Sequence, residues 1–174
     1  SVEAAGASFA AAVAMAGRYH GQEIGGIQAL MDAGIDLMKP KQESTVAEKV
    51  DWEALNDLLL RVKETLEKES SSWKERNLFE RQWLLRTFKK KAGLPVEKWL
   101  EALVQLEKCV QQKDMQGLLT IFAPADKLTN YYQYLGEMGA AYMKNDPNRE
   151  AYLEVVRGWS CDAAALGEIL KSFK

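Results

Sequence analysis

Apolar residues recur at helical spacing along most of the chain. Ile24, Ile27, Met31 and Ile35 form one stripe within residues 23–38. A polar break over residues 39–44 follows, and Thr45 with Glu48 has the spacing of a capping box. Trp52, Leu55, Leu59, Val62 and Leu66 then repeat at intervals of 3 and 4, the signature of an amphipathic helix. The serines at 70–72 are read as its interruption. Ser72 with Glu75 has capping-box spacing again and is read as opening a helix to about residue 91, which carries Phe79, Trp83, Leu84 and Phe88. Gly93 stands where a helix C′ residue belongs, and Pro95 suits the start of the next helix. Trp99, Leu103, Leu106 and Val110 step by 4, 3 and 4 within residues 95–112. Asp114 is placed to cap a helix over 115–143 that contains Leu118, Leu119, Ile121 and Phe122, kinks before Pro124 and continues with Leu128, Tyr131, Tyr132 and Leu135. Residues 145–148 read as a turn, and two short helices, about 148–157 and 161–173 with a break near Gly158, close the chain.

Short connections between successive helices imply antiparallel neighbours. The pattern therefore predicts an all-α protein with an up-down four-helix bundle core over residues 45–136. A helical extension, 1–44, precedes that core. A second, 137–174, packs on it. Trp52, Leu59, Trp99 and Leu106 are expected in the interior.

Composition narrows the function more than the fold. A net charge of −2 gives no global field to recruit nucleic acid, so any electrostatic docking must come from a local patch. No run of about twenty apolar residues is present, as a spanning helix would need. Residues 4–17, AAGASFAAAVAMAG, resemble a signal h-region but lack a basic segment before them, and are read as an alanine-rich helix of the mature chain. The one histidine, His20, makes H-x-x-E with Glu23, too little for a paired Glu-x-x-His metal bundle or a catalytic triad. Gly21, Gly25 and Gly26 lack the preceding strand of a phosphate loop. Cys109 and Cys161 are far apart and read as two separate buried thiols. Tyr131, Tyr132 and Tyr134 read as core with a wet hydroxyl, or as the lining of a ligand slot. No catalytic residue, cofactor or metal site is expected.

One cluster stands out. Lys89, Lys90 and Lys91 fall in the last turn of a helix, where cations oppose the negative end of the macrodipole. That role needs one or two charges, and Arg81 and Arg86 lie on the same helix. Lys89, Lys90, Lys91, Arg86 and Arg81 are read either as a solvated helix end or as docking residues for an acidic partner.

Four segments carry a family resemblance: DWEALNDLLLRVKETLEKE at 51–69, the helix at 72–91, LVQLEKCVQQKD at 103–114 and DKLTNYYQYLG at 126–136. Together they resemble the PsbQ family, small four-helix extrinsic proteins of photosystem II, in a form closest to an algal branch. The likeness covers about half of the chain. It implies a non-catalytic subunit on the lumenal face of photosystem II in the chloroplast thylakoid. Such a subunit is peripheral to the membrane, binds the photosystem II core and other extrinsic subunits, and helps retain calcium and chloride at the oxygen-evolving complex. The basic cluster at 89–91 would then be a docking surface. The competing expectation is a helical adaptor or effector-type module with a different protein partner, and a ligand-carrying bundle is a third.

Overall fold

A computed structural model describes residues 50–121 and 124–174 of the chain. The expectations placed on the alanine-rich run, the stripe at 23–38, His20, Glu23, the early glycines, the capping box at 45–48 and Phe122 lie outside these residues. Among the described residues the structure is all-helical. It comprises α1 (Trp52–Ser72), a 3-10 turn (Trp73–Glu75), α2 (Leu78–Ala92), α3 (Val96–Gln111), α4 (Met115–Thr120), α5 (Ala125–Tyr142) and α6 (Arg149–Ser172).

The start of α1 is fixed by Asp51, whose carboxylate accepts from the Ala54 N–H at 3.0 Å. Leu55, Leu58, Leu59, Val62 and Leu66 form its buried face. The serines at its end do not interrupt it. Ser72 Oγ donates to the Glu69 carbonyl at 2.5 Å, and Ser70 Oγ to that of Glu67 at 3.3 Å. Both hydroxyls satisfy the helix instead of competing with it. The apolar stripe runs on through them to Trp73, which is buried, and the backbone tightens into the 3-10 turn. The capping box expected at Ser72 and Glu75 is therefore absent. The cap lies further on, at Asn77, whose side chain accepts from the Glu80 N–H at 2.8 Å.

The junction between α2 and α3 follows its sequence closely. Gly93 adopts the left-handed conformation, φ 83°, and its N–H returns to the Lys89 carbonyl at 3.0 Å. The Ala92 carbonyl, one of the groups a helix end leaves without a partner, accepts from the buried Trp99 indole N–H at 3.0 Å. Pro95 precedes the first residue of α3. Trp99, Leu103, Leu106 and Val110 all face inward, as does Leu59, whereas Trp52 is half-buried.

Two expectations about the second half are corrected. Residues 115–142 are not one kinked helix: α4 ends at Thr120, Ile121 is extended, and α5 begins after Pro124. The extended backbone at Ile121 ends α4 and does not merely bend it. Conversely, the closing segment is one helix of 24 residues, not two, with Gly158 buried inside it. A glycine within a helix costs about 1 kcal/mol relative to alanine. Leu153, Val156, Leu166 and Ile169 bury their side chains on the same helix. Each contributes about 1.5–3 kcal/mol, so packing outweighs the local penalty.

The helices share one apolar interior. α5 lies between α2 and α6, and α1 packs against both α3 and α6. All six helices contribute to a single buried cluster, α6 through Ala163, Ala165, Leu166 and Ile169. α5 and α6 approach closely at two glycines. A Cβ on Gly139 would meet the Tyr152 ring at 2.5 Å, and one on Gly167 would meet the backbone of Asp126 at 3.2 Å. Lys63 pairs with Glu107 between α1 and α3, and Arg61 with Asp162 between α1 and α6 at 3.5 Å.

Leu106→Ala is expected to lower stability by about 2–5 kcal/mol in urea unfolding. Gly167→Ala presses a methyl group on backbone that cannot rotate away, and is expected to cost about 1–3 kcal/mol in the same measurement.

Candidate functional site

The five candidate docking residues do not share one environment. Arg86, Lys89 and Lys90 are exposed, while Arg81 and Lys91 are half-buried. Arg81 is already engaged: its guanidinium donates to the carbonyls of Trp73 at 3.4 Å, Lys74 at 2.8 Å and Arg76 at 3.5 Å. It acts as a clamp across the 3-10 turn. Lys91 holds its Nζ 5.0 Å from the centroid of the Tyr134 ring on α5, a cation–π contact. None of the ion pairs among the described residues uses Arg86, Lys89 or Lys90.

The face of α2 that carries these cations also carries aromatic rings. Phe79, Trp83, Arg86 and Lys90 step by 4, 3 and 4 and so lie on one stripe. Phe79 keeps 78% of its surface in solvent and Trp83 39%, and the neighbouring Leu78 keeps 68%. Trp83 leans on Tyr134, with ring centroids 6.4 Å apart. The opposite side of α2 is anchored by Phe88 and Ala92, both fully buried. The inner side of the helix is thus pinned to α5 through Phe88 and Tyr131, and the outward face is left in solvent.

A second feature is formed by α1 and α6. A groove of about 570 Å3 runs between α1 and α6, with Arg61, Lys68, Glu69, Trp159 and Asp162 among its lining residues. Glu69 follows Leu66 and precedes Trp73 in the apolar stripe of α1, so the helix delivers its carboxyl into the interior. Tyr131 of α5 donates its hydroxyl to Glu69 Oε1 at 2.5 Å. Oε2 is buried and has no hydrogen-bond partner among the described residues, and the same holds for the Tyr132 hydroxyl. Burial pushes the Glu69 carboxyl up to about 7, against a smaller opposing effect of the Tyr131 hydrogen bond. Burial, reinforced by the nearby Glu69 charge, raises Tyr131 and Tyr132 far above the usual tyrosine range. The groove therefore offers a carboxyl that holds a proton near neutrality, an ion pair and an indole wall, but its lining contains neither histidine nor cysteine.

The tyrosines are core residues. Tyr131 and Tyr132 are fully buried, and Tyr134 is half-buried on the α2 side. Cys109 and Cys161 do not pair with one another, and each is partly exposed. Among the described residues no three His, Cys, Asp or Glu side chains converge as a bound metal would require. The sequence reading passed over Glu69 and Asp162, yet both carried a signal. Leu59, Val62, Leu66, Glu69 and Trp73 step by 3, 4, 3 and 4, so the acid occupies an apolar position. Asp162 likewise falls in phase with Leu166 and Ile169. In comparisons with known proteins, no family model, no curated protein and no solved structure matches this chain.

Because the folded-state value of Glu69 is raised from 4.5, the folded protein binds more protons than the unfolded chain between there and about pH 7. Its contribution is complete below about pH 4.5 and is lost as pH rises through about 7. At about 1.4 kcal/mol per pH unit, the loss is on the order of 3 kcal/mol. Urea unfolding across this window is expected to show stability falling with pH in the natural protein and a flatter profile in Glu69→Gln.

Proposed function

We propose that this protein is a non-catalytic docking subunit that binds its assembly through the outward face of α2. The observation that carries the reading is the set of exposed cations Arg86, Lys89 and Lys90, which make no ion pair among the described residues, on a helix otherwise pinned by Phe88 and Ala92. Dipole compensation accounts for part of this charge, and the exposed remainder adds little to the fold. At an interface such charges steer association and make it sensitive to salt.

The specific form of the proposal is an extrinsic subunit of photosystem II, on the lumenal side of the thylakoid, that stabilises the oxygen-evolving complex and helps retain calcium and chloride. The resemblance of residues 51–136 to the PsbQ family supports it. On this reading α1, α2, α3 and α5 form the up-down four-helix core and α6 is added to it. No helix among the described residues is long and apolar enough to cross a membrane, so the part described would be peripheral. The second reading is a helical adaptor for a different acidic partner. It draws on the same cationic face and requires no photosynthetic context.

The triple change Arg86→Gln, Lys89→Gln and Lys90→Gln is expected to leave the melting temperature nearly unchanged. It is expected to weaken rebinding to salt-washed photosystem II membranes and to reduce the oxygen evolution restored at low calcium and chloride. Equal rebinding by the triple variant would reduce these residues to a helix end. Failure of the natural protein to bind photosystem II, with retained salt-sensitive binding to another acidic protein, would leave the adaptor reading.

A further inference from the structure

We infer that the outer face of α2 inserts into an anionic lipid surface, with Leu78, Phe79 and Trp83 entering the interface and Arg86, Lys89 and Lys90 meeting the headgroups. This rests on the reading of α2 as the docking face and names what that face meets. Six large apolar side chains are left exposed among the described residues, and Leu78, Phe79 and Trp83 are three of them. They fall within the first six positions of one helix, so the exposure is concentrated and not scattered over the surface. Leu78 and Phe79 are adjacent and stand 68% and 78% in solvent, at the corner where the chain leaves the 3-10 turn.

Charge supports the same assignment. Residues 74–91 hold seven cations and two carboxylates, in a chain whose net charge is −2. One of the two carboxylates, Glu80, is within reach of Arg76 at 3.5 Å, so little negative charge on this segment opposes an anionic surface. Along the stripe the two kinds of group share one line, Phe79 and Trp83 first, then Arg86 and Lys90. An acidic protein would satisfy the cations but would need a fitted apolar cavity for two prominent side chains. A bilayer interface supplies both demands at once: anionic headgroups for the arginines and lysines, and an apolar layer beneath for phenylalanine, leucine and tryptophan. The face is also preformed. Phe88 and Ala92 fix the inner side of α2, and the indole of Trp83 rests on Tyr134, so the helix itself needs no ordering on docking.

The test is flotation of the full chain with vesicles of equal parts phosphatidylglycerol and phosphatidylcholine, and with phosphatidylcholine alone. The natural protein is expected to float with the anionic vesicles only, and to be released by salt. Leu78→Ser with Phe79→Ser removes two exposed side chains, so the melting temperature should hold while the apparent affinity falls about tenfold or more. Arg86→Gln with Lys90→Gln should weaken binding and flatten its salt dependence. No flotation of the natural protein with anionic vesicles overturns the inference, as does flotation unchanged in both double variants. Binding to detergent-solubilised photosystem II separates the two levels of the proposal. Capture by the solubilised complex without flotation leaves the docking face standing and removes the lipid, whereas flotation without capture keeps the lipid and removes photosystem II.

Discussion

The arrangement of helices depends on one buried tyrosine. Tyr131 is wholly enclosed, and its ring meets Phe88 of α2 at 4.7 Å, Tyr132 at 5.5 Å and Trp73 of the 3-10 turn at 6.3 Å between centroids. Through Tyr132 the same chain of rings reaches Trp159 of α6 at 5.9 Å. Edge-to-face and tilted contacts of this kind add about 0.5–1.5 kcal/mol each beyond the area they bury. The hydroxyl of Tyr131 must find a partner inside this apolar ring cage, and Glu69 of α1 provides it. A hydroxyl buried without a partner costs about 1–3 kcal/mol, which makes the register of α1 against α5 specific. The carboxyl that satisfies it is in turn the group whose proton affinity rises with burial.

Several features follow from that centre. Trp73 must reach the cage, so the helix continues through the serines at 70–72 and turns only beyond Glu75. Phe88 must reach it from the other side, which directs Phe79, Trp83, Arg86 and Lys90 outward. The exposed rings and cations of α2 are therefore a consequence of which side of the helix is anchored. Arg81 reinforces the geometry by gathering the carbonyls of the turn, and its guanidinium is spent there. α5 carries adjacent tyrosines, both buried, because it lies between α2 and α6 and offers one ring to each.

Much of the architecture was legible in the sequence, and the misses have particular causes. The stripes at Leu55–Leu66 and Trp99–Val110, the glycine cap at Gly93 and the cap at Asp114 are local patterns whose partners lie within a few residues. The end of α1 was misplaced because Ser72 and Glu75 match a capping box while the buried Trp73 holds the backbone helical. The break assigned near Gly158 failed because a glycine in a helix is only a modest penalty, and α6 gains more from its apolar face. Glu69 and Asp162 occupied apolar phases that the pattern showed, but what each acid meets, Tyr131 and Arg61, depends on pairing α1 with α5 and α6. The outward direction of Phe79 and Trp83 was not visible at all. Spacing places residues on a common face without saying whether that face is inside, and Phe88 decides it here.

A double-mutant cycle on Glu69 and Tyr131 tests the central interaction most directly. Unfolding free energies would be measured for the natural chain, Glu69→Gln, Tyr131→Phe and the combined variant, at a pH below the Glu69 transition. If the buried bond sets the register of α1 and α5, the two substitutions are coupled by about 0.5–3 kcal/mol. Additivity within about 0.3 kcal/mol would contradict it, and would leave the ring cage alone as the element that holds these helices together.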